Sequence, residues 1–281
     1  MIKSKILNIL IVLSITVLLA SCNKAGTNKT DSSKAAVTVK TRQLSDKSAF
    51  MMANGERCTI VADATIDFPV AIGEGMTVDS LQRVFAIHVL ESGDSLSLQE
   101  AMQQVVANSM HQYDFMQEPV SAGEVDDQES SATLKYATST RVTPIYNKKG
   151  IVTFERVDVV KKNDKVTSIT HRYYSFDVET QSLVDLSRLF RDDAIADVCQ
   201  LLKQQLLKQN NATGNEQLND LGYYNVENIT VTRNFFFDDK GVTWSFLPNE
   251  LAVEAVGEPR ITIPYAQLKD FKSDDSILNR L

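Results

Sequence analysis

The chain's 281 residues suffice for one or two domains, and 43% apolar against 23% charged side chains can bury a core, which excludes wholesale disorder. Eleven glycines and six prolines are too few for a collagen-like or low-complexity chain. A formal charge of −7 speaks against a surface that neutralises nucleic-acid phosphates, and three Cys with three His leave little material for a metal cluster.

Lys3 and Lys5 precede an apolar run from Ile6 to Leu19, interrupted only by Asn8, Ser14 and Thr16. Basic, then apolar, then small is the order of a secretory signal. The run is also shorter than the ~20 residues of a spanning helix. Leu19-Ala20-Ser21-Cys22 resembles the bacterial lipobox, and that resemblance implies cleavage before Cys22 and acylation of its thiol. Residues 1–21 are thus expected to be a signal peptide. Lys3 and Lys5 leave with it, which takes the formal charge from −7 to −9. Anionic lipid repels so acidic a body, so membrane contact is expected through the lipid anchor only. Residues 22–47, rich in Ser, Thr, Lys and Asn without an apolar period, read as the lipidated Cys and a flexible tether reaching roughly 25–30 Å.

Arg57 to Phe68 alternates apolar and polar and predicts a half-buried strand that Pro69 ends. Asp79 with Gln82, and Ser97 with Glu100, have capping-box spacing. The first opens a helix with Leu81, Val84, Phe85, His88 and Val89 on one face. The second opens one with Leu98, Ala101, Met102, Val105 and Met110. Residues 48–117 therefore read as an N-terminal α+β part. Residues 118–132 hold five carboxylates and no base, as an acidic loop or junction would. Residues 133–281 form the C-terminal part. Strands are expected over 133–146, 151–160 and 166–178, the last two joined by a turn at Lys161-Lys162-Asn163-Asp164-Lys165. A helix capped by Asp192 or Asp193 follows, with Ile195, Val198, Cys199, Leu202 and Leu206 on its apolar face. Residues 210–227 read as a polar loop. A hairpin is expected from Thr230–Phe237 and Val242–Leu247 across Asp238-Asp239-Lys240-Gly241, then a short strand at 261–263 and a helical turn from Tyr265. The mixed order predicts an α+β fold, a largely antiparallel sheet packed against a few helices.

Two stretches carry a family resemblance. Arg172-Tyr173-Tyr174-Ser175-Phe176-Asp177-Val178-Glu179-Thr180 leads to Leu183, Leu186 and Leu189-Phe190. Phe236-Phe237-Asp238-Asp239-Lys240-Gly241-Val242 leads through Pro248-Asn249-Glu250-Leu251-Ala252 to Ile263-Pro264-Tyr265. Both resemble the RsiV-like extracellular domain, found in a lysozyme-sensing anti-sigma factor and as a non-catalytic module of peptidoglycan deacetylases. The resemblance covers about residues 165–271 and is loose over 57–117. The family's Asn-Pro-Tyr-Glu run is here Leu247-Pro248-Asn249-Glu250, without the aromatic. Neither the cytoplasmic domain of the family's anti-sigma members nor a deacetylase domain is expected in this polypeptide. The resemblance implies an envelope sensor or binding module on a lipid anchor. The expected location is the outer membrane, facing the periplasm.

Nothing in the sequence has the spacing of a catalytic site. His88, His111 and His171 lack metal-ligand spacing, and no Gly-x-Ser-x-Gly elbow is present. Cys58 and Cys199 fall on apolar faces, as two buried thiols or as a disulfide in an oxidising envelope. Each Asp pair sits at a turn, a helix start or the tail, where Asp is favoured on local grounds. No catalytic residue, metal ligand or cofactor is therefore expected. Trp244 is assigned to the core with Val242 and Phe246. The candidate binding residues are Tyr223 and Tyr224 in a polar loop, with Asn249, Glu250 and Glu254 after the late hairpin. Their acidity suits a basic partner such as a lysozyme-like protein, or else the ligand is a peptidoglycan fragment. The competing readings are an envelope glycan hydrolase or deacetylase and a scaffolding lipoprotein.

Overall fold

The computed structural model describes residues 36–52, 56–73, 76–116 and 134–281. The signal peptide, Cys22 and the acidic 118–132 segment lie outside these residues.

β1 (Val37–Met51) and β2 (Arg57–Ile72) form a long antiparallel pair. This corrects two expectations. Residues 37–47 are strand, not tether. The inward positions of β1 include Arg42, Asp46 and Ser48 beside Leu44 and Phe50, so an edge strand gives no apolar period to read. Pro69 does not end β2 either. It faces Val39 where the register slips, and a bulge tolerates its missing N–H.

α1 (Asp79–His88) and α2 (Leu98–His111) then cross one face of the sheet. Ser97 and Glu100 complete the capping box of α2, as the spacing predicts. Asp79 makes no such cap. Gln181, a hundred residues away, instead accepts from the Leu81 N–H (2.9 Å) and donates to the Thr77 carbonyl (2.8 Å).

β3 (Leu134–Lys148) returns parallel to β2, and β4 (Ile151–Lys162), β5 (Lys165–Asp177) and the short β6 (Ser182–Leu183) follow antiparallel. The β4–β5 turn is the expected one, with Asn163 and Asp164 both at positive φ, as a two-residue type I′ hairpin requires. One sheet, in order β1 to β6, therefore runs through both halves of the chain, and the 48–117 and 133–281 parts are joined by the β2–β3 ladder.

α3 (Ile195–Gln209) and α4 (Asn215–Asp220) follow, so the polar 210–227 stretch contains a short helix. A 3-10 turn, not a carboxylate cap, leads into α3. β7 (Phe235–Phe237), β8 (Gly241–Ser245) and β9 (Arg260–Pro264) make a second antiparallel sheet that ends in α5 (Tyr265–Leu268). A Cβ on Gly241 would run into the Ile263 carbonyl, so only glycine lets β8 and β9 meet there. The fold is α+β and mostly antiparallel, with two apolar cores. One lies between α1, α2 and the large sheet. The other is built on Trp244, Phe235, Phe237 and the buried Val198, Leu202 and Leu206 of α3. None of the described helices is long and apolar enough to cross a membrane.

Candidate binding surface

The two loops proposed from sequence meet. The Tyr224 N–H donates to the Leu251 carbonyl and the Val253 N–H to the Gly222 carbonyl, both at 2.9 Å, and Tyr223 bridges Ala252. Gly222 sits at φ +90°, and a Cβ there would press on Val253 and Val256. Two loops distant in sequence thus become one rim.

The five predicted residues play different parts. Asn249 and Glu254 are exposed and line a groove of about 610 Å³. Glu250 is exposed but employed: its Oε2 accepts from the Leu247 N–H (2.8 Å) and locks the turn in which Asn249 takes φ 61°. Tyr223 is half-buried against the second core and donates from its hydroxyl to Asn210 (3.3 Å). Tyr224 is half-buried and outside the groove lining. Only Asn249 and Glu254 therefore face the groove.

The groove's other wall is the outer part of β5, including Val166 and Ile169, both about half exposed. Between the walls lies a cluster that sequence reasoning missed. Glu155 Oε1 takes His171 Nδ1 at 3.0 Å and the Tyr173 hydroxyl at 2.9 Å, with Arg260 at 3.9 Å. Burial, and then the bond to Glu155, pushes the Tyr173 hydroxyl pKa up. Arg260 also lies over the Tyr173 ring, 5.5 Å from its centre. Glu258 Oε1 accepts from the His171 backbone N–H (2.9 Å), and its Oε2 is buried without a hydrogen-bond partner among the described residues. Asn234 completes the edge. It accepts from the Tyr173 N–H (2.8 Å) and donates to the His171 and Ser245 carbonyls, which ties the large sheet to the small one. Glu155 and His171 meet through the β4–β5 pairing, and Asn234 and Glu258 reach them by side-chain hydrogen bonds from the segments entering β7 and β9, so no local signal marks them.

This arrangement is suited to holding shape. Glu155 already serves two close donors, and His171 bonds to no Ser, Thr or Cys side chain among the described residues. Among those residues, no group of three or more His, Cys, Asp or Glu could hold a metal ion. Cys58 is buried in β2, where burial raises its thiol pKa. Cys199 is half-buried on α3, so only one thiol is fully enclosed, and neither is in a disulfide. Trp244 lies in the core, as expected.

Residues 187–266 match a family model described as "Protein of unknown function (DUF3298)". This segment is similar to the DUF3298 family. That segment contains α3, the small sheet and both rim loops, whereas Glu155, His171 and Tyr173 come from the large sheet before it. Two crystal structures are similar over most of their length. A DUF3298 family member from Bacteroides fragilis NCTC 9343 is 16% identical with a TM-score of 0.63, covering 88% of this chain and 98% of its own. A DUF3298 family protein from Pseudomonas aeruginosa PAO1 is 11% identical with a TM-score of 0.51, covering 85% and 96%. At these identities the likeness is one of fold. No curated protein matches the chain.

Proposed function

We infer that this protein is a non-enzymatic, lipid-anchored module of the cell envelope that binds a basic protein partner along the rim and groove. The observation that carries this reading is the rim itself, with Glu254 exposed on it beside the groove and its carboxylate without a hydrogen bond or ion pair among the described residues. A chain of formal charge −9 after signal removal supports it, because opposite charge steers encounter. The RsiV-like resemblance extends it to a lysozyme-like partner. The lipobox-like Leu19-Ala20-Ser21-Cys22 supports a lipid anchor at Cys22, and we assign that anchor to the outer membrane, with the domain facing the periplasm. Metabolic labelling with a fatty-acid analogue should mark the wild type and not Cys22→Ser; equal labelling of both removes the anchor.

The binding reading is tested by hydrogen exchange on the 23–281 chain with and without a basic lysozyme. Protection is expected in residues 222–225 and 248–258 and along the outer part of β5. Protection confined to α1 and α2, or none at saturating lysozyme, would overturn the assignment. A peptidoglycan fragment that protects the same segments would replace the protein as the ligand.

A further inference from the structure

A second cavity, of about 480 Å³, opens where residues 172–175 of β5 meet the Leu183–Asp185 stretch, the end of α1 and the segment entering β7. Its size falls within the roughly 300–1,000 Å³ of small-molecule sites. It shares no lining residue with the groove. Leu183, Val184 and Leu247 supply an apolar wall, and Arg172 and Arg233 supply guanidinium groups.

Most polar groups here are already committed. Arg172 donates to Asp158 (3.0 Å), and the Ser175 hydroxyl is bonded to Thr153 (2.8 Å). Asp185 Oδ1 accepts from the Ser187 hydroxyl (2.6 Å) and the Arg188 N–H (3.2 Å). The Asn234 amide is clamped between the two sheets. Arg233 differs: it is exposed, and among the described residues its guanidinium makes no hydrogen bond or ion pair. Its charge still reaches the cavity. Burial, and then Arg233, lowers the His88 pKa, and Arg233 adds to the Ser187 hydrogen bond in lowering that of the Asp185 carboxylate in the same lining. A guanidinium that makes no hydrogen bond offers a planar fork of N–H donors that matches a carboxylate or phosphate. The apolar wall beside it can cover a hydrophobic body.

We propose that this cavity binds a small amphipathic anion, with its carboxylate or phosphate on Arg233 and its apolar part against Leu183, Val184 and Leu247. This site is independent of the rim. The test is fluorescence titration of the 23–281 chain with 2-naphthoate, 2-naphthyl phosphate and the uncharged 2-naphthamide. At least one anion should bind more tightly than the amide. Which one binds decides between a carboxylate and a phosphate headgroup. Arg233→Ala should weaken that anion tenfold or more while leaving the amide and the thermal midpoint unchanged, and Arg233→Lys should recover part of the loss. Glu254→Lys on the rim should leave naphthyl binding alone. The proposal is overturned if the amide binds as tightly as the anions, if Arg233→Ala binds the anion like wild type, or if neither anion binds at millimolar concentration.

Discussion

Trp244→Ala is expected to remove about 3–5 kcal/mol of stability, the range for emptying a large aromatic site in a packed core. The indole is fully buried in β8, with Phe190 and Phe235 each 6.2 Å away between ring centres. Its Nε1 has no hydrogen-bond partner among the described residues, so the loss is one of packing and not of a polar contact. The site is poorly able to collapse, because β8 is fixed between β7 and β9 and Gly241 already touches the Ile263 backbone. Trp244→Phe should therefore cost much less than alanine. Urea unfolding followed by circular dichroism measures both, and a loss below about 1 kcal/mol for alanine would show that the indole is not the centre of that core.

Leu202→Ala should cost about 2–5 kcal/mol. Leu202 is the middle of three buried residues that α3 directs at the small sheet, with Val198 and Leu206 one turn to either side. The cavity would open beneath the helix that backs β9, and β9 carries Arg260 to the groove. Loss of stability and loss of partner binding should therefore appear together on heating. A change under about 0.5 kcal/mol in chemical unfolding would mean that α3 is not docked.

The sequence shows most clearly what is local. The Ser97–Glu100 cap, the apolar stripes of α1, α2 and α3, the Asn163-Asp164 turn and the burial of Trp244 all depend on neighbours within a few residues, and each is where the pattern puts it. Failures occur where a distant partner decides. β1 is polar because its inward residues only border the core, so it reads as linker. The start of α1 is closed by Gln181 and not by its own Asp79. The candidate site divides in the same way. Tyr223, Tyr224, Asn249, Glu250 and Glu254 were legible as loop residues, and the two loops do join. That Glu250 is a turn lock and Tyr223 partly a packing residue follows from contacts no spacing rule reports. Glu155, His171, Asn234 and Glu258 were invisible because four separate segments bring them together.

These contacts also select the probe of function. Reversing Glu250 would break the Leu247 bond, and reversing Glu258 would strip the His171 N–H, so either change confounds binding with folding. Glu254 is exposed and carries no such duty among the described residues. The decisive measurement is therefore the association rate of a basic lysozyme with wild type and Glu254→Lys, from low to high salt. The rate should be several-fold slower for the variant at low salt, and the two should converge as salt screens the field. Equal rates at every salt concentration, with both proteins folded, would contradict a rim that works by charge.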